Sequence, residues 1–232
     1  DTAWMKYVEA CTIESKATTE PADIKIEVAR GGEYKIRLED GTTVWLNSES
    51  SLIYPEKFTG DKRAVRLSGE GYFEVARDEK KPFIVSVTDM EIKVLGTKFN
   101  VTAYQDEKMT TTTLISGAVE VVTPHRSVQL QPGKQAMVQE GGDDITVLEV
   151  DVELASSWTA GIFKFDKMAL TDICTRLSRW YDIDFVFEGE TGKEKFTGGT
   201  WKYVPLKDFL SKIERVTNVL FLFENNTVRV VP

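Results

Sequence analysis

Gly96, Thr97 and Lys98 stand together between two apolar pieces, Val94-Leu95 and Phe99-Asn100-Val101. Glycine beside threonine and lysine raises the chemistry of a phosphate-cradling loop. That loop needs Gly-x-x-x-x-Gly-Lys-[Ser/Thr] after a strand and before a helix. The earlier glycine would fall at position 91, which is Glu91, and the order is Gly-Thr-Lys. The run that follows alternates like a strand, so no helix N-terminus is available to hold an anion. The stretch reads instead as a turn or bulge between strands, with Val94, Phe99 and Val101 facing the core.

Other residues with chemical potential are weighed the same way. Glu70 and Glu74 flank Gly71-Tyr72-Phe73. Paired carboxylates suit glycoside hydrolysis, but on one strand face these two would lie about 13 Å apart, too far for either reaction geometry unless Gly71 makes a bulge. The chain has one histidine, His125, beside Pro124 in a polar turn. One histidine excludes multi-histidine zinc sites and leaves a serine triad without a nucleophile elbow. Cys11 lies in a polar N-terminal stretch, and Cys174 on the apolar side of an expected helix, where a buried thiol is expected. No catalytic residue, cofactor site or metal site is expected. Trp45, Trp158, Trp180 and Trp201 could stack on sugar faces, although aromatic side chains in β-rich modules more often serve cores and interfaces.

The elements that would carry these residues come in two styles. From about Glu33 to Val150 the apolar period is two, as in Tyr34, Ile36 and Leu38, and turn residues punctuate it at Gly69, Gly71, Gly96, Gly117 and Pro132-Gly133. Asp40-Gly41 between two alternating runs is a hairpin signal. Many short strands imply an antiparallel sandwich, barrel or β-stack. After residue 155 the pattern changes. Leu170, Ile173, Cys174, Leu177 and Tyr181 fall at helical spacing. A second helix follows Pro205, and strands flank both helices. Leu170, Ile173, Leu177 and Ile183 recur as Leu206, Phe209, Ile213 and Val219 at an offset of 36, which implies two βαβ units. The last strands, Val219–Phe223, are apolar on both faces. A helix can cover one face; the other must meet the first domain, a second chain or a partner. The expected division is a polar segment at 1–30, a β domain at 31–150 and an α+β domain at 151–232.

With 232 residues, 41% hydrophobic and 28% charged, the chain can build cores for two domains. Its net charge of −8 argues against nucleic-acid partners. No apolar run approaches the roughly 20 residues of a membrane span, and no signal-peptide pattern is present; the sequence reads as an excised soluble region.

Five ordered stretches carry a family resemblance: LEDGTTVWLNSESSLIYPEKF (38–58), RAVRLSGEGYFEVARDEKKPFIV (63–85), VLGTKFNVTAY (94–104), TTTLISGAVEV (111–121) and VQLQPGKQA (128–136). Together they resemble the FecR-like anti-sigma regulators; one departure is Gly71, where many members have alanine. The segment from Trp158 to Thr200 resembles the C-terminal domain of such regulators in the Bacteroides group, which looks like the short secretin/TonB N-terminal (STN) fold. The resemblance implies a mainly β plus α+β protein: an antiparallel β-rich sandwich or β-stack, then a small STN-like domain of two βαβ units. It further implies the periplasmic region of a single-pass inner-membrane protein whose missing cytoplasmic part holds an extracytoplasmic-function sigma factor. The expected partner is the N-terminal signalling domain of an outer-membrane TonB-dependent transducer; no small-molecule substrate is expected. Transmission would be a binding-driven change, with regulated cleavage left open. Trp201, Tyr203, Phe221 and Phe223 are the expected partner anchors, since aromatic side chains dominate many interfaces. The alternative function is a non-catalytic glycan-binding module; an enzyme stands third.

Overall fold

Alternating sequence pairs strands locally, and turn residues decide when the chain leaves one sheet for the other. The computed structural model describes residues 11–15, 23–88 and 90–232, the first of these through the backbone. The chain divides into two units, Asp1–Ala155 and Ser156–Pro232.

In the first unit, consecutive hairpins alternate between two facing sheets. β1 (Cys11–Ser15) and β2 (Asp23–Val28) lie in the first sheet. β3 (Tyr34–Arg37) and β4 (Thr43–Leu46) lie in the second, joined by the Asp40-Gly41 turn that the sequence signals. The first sheet then takes β5 (Ser50–Pro55), β7 (Phe83–Val87), β8 (Met90–Val94), β11 (Val119–Val122) and β12 (Ser127–Leu130). The second takes β9 (Lys98–Ala103), β10 (Met109–Ser116), β13 (Lys134–Gln139) and β14 (Ile145–Glu149).

One strand belongs to both. β6 (Arg63–Glu74) pairs with β5 and β7 through Arg63–Ser68, and with β4 and β9 through Gly69–Glu74. The change falls at Gly69, at φ +92°; a Cβ there would lie 2.4 Å from Ser50 Oγ and 2.7 Å from Ser50 Cα. Only glycine admits both the positive φ and that approach. Val44, Leu52, Phe73, Phe83, Ile92, Phe99 and Leu114 fill the space between the sheets, and Phe73 stacks on Phe99 with centroids 5.0 Å apart.

The Gly96-Thr97-Lys98 stretch is another crossing, from β8 in the first sheet to β9 in the second. Val94, Phe99 and Val101 are buried. A Cβ on Gly96 would lie 2.8 Å from Arg77 Cα, so the residue permits two backbones to approach. Thr97 fixes the corner: its hydroxyl donates to Ala118 O at 2.8 Å, and its carbonyl accepts from Val75 N–H at 3.0 Å.

Part of the segment read as polar at 1–30 forms paired strands, β1 and β2. Positions 1–10 and 16–22 and the Cys11 side chain lie outside the described residues.

A short helix, α1 (Val152–Ser156), and a 3-10 turn at Ser157–Ala160 lead into the second unit. Its order is β15 (Ile162–Ala169), α2 (Leu170–Tyr181), β16 (Asp184–Phe187), β17 (Lys195–Trp201), α3 (Leu206–Glu214), β18 (Leu220–Glu224) and β19 (Thr227–Val231). The order is strand–helix–strand twice, then β19. Pairing crosses between the halves: β15 pairs antiparallel with β17, while β16, β19 and β18 form a separate sheet with β19 central. Ile173, Cys174, Leu177 and Ile183 and their repeats Phe209, Leu210, Ile213 and Val219 all enter one core. The helical periodicity therefore places the same face inward in both halves. Burial keeps the Cys174 thiol protonated by pushing its pKa well above the ordinary range.

Candidate partner-docking surface

The end of β17 and the turn after it invert the usual distribution of side chains. Trp201 ends β17, and the turn that follows, closed by Val204 N–H donating to Trp201 O at 3.4 Å, points Lys202 inward and Tyr203 outward. Trp201 and Tyr203 are 60% and 61% exposed, whereas Lys202 is fully buried. The backbone of Lys202 is fixed first: its N–H donates to Gly161 O at 2.9 Å. Its carbonyl accepts from Trp180 Nε1 at 2.7 Å and Tyr181 Oη at 3.1 Å. The Lys202 ammonium then lies 3.8 Å from the Trp180 ring centroid, 5.5 Å from Phe163 and 5.7 Å from Trp158.

Two opposed effects act on this ammonium. Burial disfavours its charge and lowers its pKa to about 7. The ring faces, with their negative quadrupole, favour the charge. Outside the box, Tyr203 meets Trp180 edge-on at 5.7 Å. A residue in the core and a residue at the surface thus share one tryptophan, which gives the exposed Tyr203 a rigid seat. Tyr181 Oη also donates to Val204 O at 2.7 Å, closing the loop after β17.

The second exposed apolar surface lies on the sheet of β16, β19 and β18. Phe223 is 45% exposed. Phe221 is not a surface anchor: it is 6% exposed, sits opposite Val230 and belongs to the core of this unit. The expectation for Phe221 is corrected by strand alternation, which turns Phe221 toward α3 and turns Leu220 and Leu222 to the open face. Sequence reasoning missed those two leucines and Val186, all exposed. The signal was present in the doubly apolar pattern of Leu220–Phe223, but the larger rings drew the assignment. Val186, Arg229 and Leu222 form one cross-strand row. Arg229 holds Glu188 at 2.6 Å and Glu224 at 2.8 Å, so the polar centre of the row is neutralised locally.

The structure brings Tyr203 together with Trp180, and places Trp201 two residues earlier, at the end of β17. It places Phe223 in the other sheet of the unit. The tryptophans considered for sugar contact are distributed differently. Trp158 is buried, Trp180 walls the lysine box, and Trp45 packs edge-on against Tyr72 at 5.4 Å with Lys35 4.4 Å from its ring. The exposed Tyr203 lies at 73° to Trp180, so the two rings do not form a flat stacking platform.

The acids weighed for catalysis have structural partners. Glu70 accepts from Asn47 Nδ2 at 2.8 Å and from Asn100 Nδ2 at 2.9 Å, tying β6 to β9 and to the end of β4. Glu74 pairs with Lys98 at 2.8 Å. His125 is exposed, 3.7 Å from Asp143. Asp40 orders its own turn by accepting from Thr42 N–H at 3.0 Å and Thr42 Oγ1 at 2.7 Å, and it receives Arg63 Nη1 at 2.7 Å. Among the described residues, no group of His, Cys, Asp or Glu is arranged to hold a metal ion, and no helix is long and apolar enough to cross a membrane.

Comparison with known proteins agrees with both units. The family model for FecR protein matches residues 24–120, and that for the FecR C-terminal region matches residues 162–230. Comparison with curated proteins gives no match. Two crystal structures of a candidate anti-sigma factor from Parabacteroides distasonis are similar to this chain at 30% identity and a TM-score of 0.83. The similarity covers 89% and 90% of this chain and 97% and 98% of theirs. Both units are thus accounted for by one lineage of regulators, and the chain belongs to the FecR family of anti-sigma factors.

Proposed function

We propose that residues 1–232 are the periplasmic sensor region of an inner-membrane anti-sigma factor. Its partner is the N-terminal signalling domain of an outer-membrane TonB-dependent transducer. Control of an extracytoplasmic-function sigma factor resides in a cytoplasmic region outside this sequence. The FecR match and the anti-sigma neighbour support a regulatory, sensing role. The observation that carries the docking assignment is the pair Trp201 and Tyr203, exposed at the end of β17 and in the turn after it while a lysine occupies the interior between them. Exposed aromatic side chains with restricted motion lose little entropy on binding and bury large areas. Phe223 adds a third anchor on the same unit. For a signal to pass, the transducer must bind with different free energy in its substrate-loaded and empty states.

The test is calorimetric titration of the 1–232 protein with the transducer's signalling domain. Trp201→Ala with Tyr203→Ala is expected to weaken binding by about tenfold or more, the scale of hot-spot truncation. Unchanged affinity in that double variant, with wild-type binding intact, moves the docking site off this strand end.

A further inference from the structure

β18 is an edge strand with an unusual composition for an edge. Leu220-Phe221-Leu222-Phe223-Glu224 contains no lysine, proline or bulge, the common devices that keep an edge from pairing. It has one neighbour, β19, in its sheet. Its hydrogen-bond parity follows from the turn. Glu224 and Thr227 flank the two-residue Asn225-Asn226 turn and form a directly paired set, so Glu224, Leu222 and Leu220 bond to β19. The N–H and C=O groups of Phe221 and Phe223 then point away from the sheet.

One of these outward groups already has a partner. Glu214, the last residue of α3, accepts from the Phe221 N–H through Oε1 at 2.9 Å. A side-chain oxygen thus occupies the place where the carbonyl of a neighbouring strand would sit. Phe223 lies next along the edge, its outward N–H and C=O turned to the same side, with apolar side chains exposed on both faces.

We propose that β18 accepts an extended strand from the partner, which lengthens the sheet of β16, β19 and β18 and takes over the position held by Glu214. The identity of the partner, a strand of the transducer's signalling domain, rests on the reading under Proposed function. The outward backbone groups select an extended segment over a helix, because only a strand presents donors and acceptors at the same spacing. Charge selects further. Glu224 is already paired with Arg229, but Glu214 lies along this edge and β18 itself supplies no cation, so the incoming strand carries apolar side chains at alternate positions and a lysine or arginine near Glu214. A second copy of β18 brings another Glu214 carboxylate to the seam with no cation from either strand, which disfavours self-pairing.

The experiment follows the backbone amides of 1–232 by NMR hydrogen exchange, with two probes: the transducer's signalling domain, and a synthetic capped Lys-Val-Thr-Val-Lys peptide. Protection of the Phe223 amide on binding is expected. Phe223→Pro removes the outward donor without touching the ladder to β19, and proline is tolerated on edges. Phe223→Ala removes the ring and keeps the donor. Phe223→Pro is expected to bind the signalling domain about tenfold more weakly than Phe223→Ala, the scale of one hydrogen bond. Glu214→Gln keeps an acceptor for the Phe221 donor but removes the charge that a lysine or arginine of the incoming strand would meet, and is expected to bind more weakly than wild type. If the signalling domain binds through Trp201 and Tyr203 while the Phe223 amide stays unprotected, the edge proposal fails and the partner reading stands. If only the peptide protects Phe223, the acceptor edge stands and the transducer reading fails. Protection by neither probe, or dimerisation abolished by Phe223→Pro, overturns strand acceptance from a partner.

Discussion

The two units of this chain hold their buried cations by opposite means. The first places its large aromatics inside, with Phe73, Phe83 and Phe99 fully enclosed between the sheets. Its buried cation, Arg63, is held by Asp40 at 2.7 Å and by the carbonyls of Ala76 and Lys81 at 2.8 and 2.9 Å. The second unit encloses Lys202 among ring faces and leaves Trp201, Tyr203 and Phe223 outside. In the first unit, sequence choices serve stability; polar groups inside it fasten turns. In the second, exchanging the positions of lysine and tryptophan would follow the usual inside-out rule, and the chain does the reverse. That departure is the feature on which the proposed docking role rests.

The largest effect that separates the units should come from Arg63. Replacing it with methionine keeps much of the volume but leaves the Asp40 carboxylate and two carbonyls without their donor. Breaking one side of a buried pair costs about 4 kcal/mol. Urea unfolding of 1–232, followed through Trp45 beside Tyr72, should show the loss in the first unit. An unfolding midpoint equal to wild type would show that Arg63 is dispensable and the comparison false.

Gly69→Val comes next. It forces a β-branched residue to φ +92° and drives its Cβ against the Ser50 backbone. Strain and overpacking together suggest about 3 kcal/mol. The β6 strand would then serve one sheet poorly, so amide exchange should accelerate at the β5–β6 and β6–β9 pairings. Acceleration confined to one sheet would mean that Gly69 is not the pivot of the sandwich.

Much of this arrangement was readable beforehand. Periodicity located α2, α3 and most hairpins, because burial on one face of a helix or strand leaves a local record. The Asp40-Gly41 turn also announced itself through residues that tolerate unusual φ. The sharing of β6 did not. Two runs separated by Gly69 and Gly71 read as two strands, since nothing local distinguishes a strand that ends from one that changes sheets. β1 and β2 were hidden in a segment read as polar; in β2 the exposed Asp23 and Glu27 dilute the alternation. At the candidate surface, Trp201 and Tyr203 are exposed, whereas Phe221 was misplaced and Leu220 and Leu222 were overlooked. Which face of β18 is covered depends on α3, a tertiary fact. The burial of Lys202 was invisible for the same reason: the three rings that meet around it, Trp158, Phe163 and Trp180, come from separate elements.

Lys202 gives a smaller effect with a definite sign. Burial lowers its pKa from 10.5 to about 7, so above that pH the unfolded chain binds a proton that the folded chain does not. Stability attributable to this group therefore rises as pH increases from about 7 toward 10.5 and levels off above it; below about 7 both states carry the charge. Lys202→Met should abolish this component. The comparison is the difference in urea midpoint between wild type and variant at pH 6, 7, 8 and 9, which should change with pH in favour of wild type. A difference that is flat with pH would mean that the ring faces hold the ammonium charged throughout.

The smallest expected change is also the sharpest contrast between the units. Trp201→Ala and Tyr203→Ala each remove a large side chain that is mostly in water, so each should alter stability by no more than about 0.5 kcal/mol. Phe99→Ala removes a smaller ring from the enclosed stack with Phe73 and should cost about 3–5 kcal/mol. Tyr203 is the more demanding case, because its edge contact with Trp180 contributes something to the box even when its outer face is wet. Thermal unfolding of the three variants side by side measures this. If Tyr203→Ala proved as damaging as Phe99→Ala, the ring would be a wall of the lysine box first and a contact surface second, and the docking role would pass to Trp201 and the β18 edge. If both exposed variants are thermally silent yet lose the transducer domain, the aromatics are there for the partner alone.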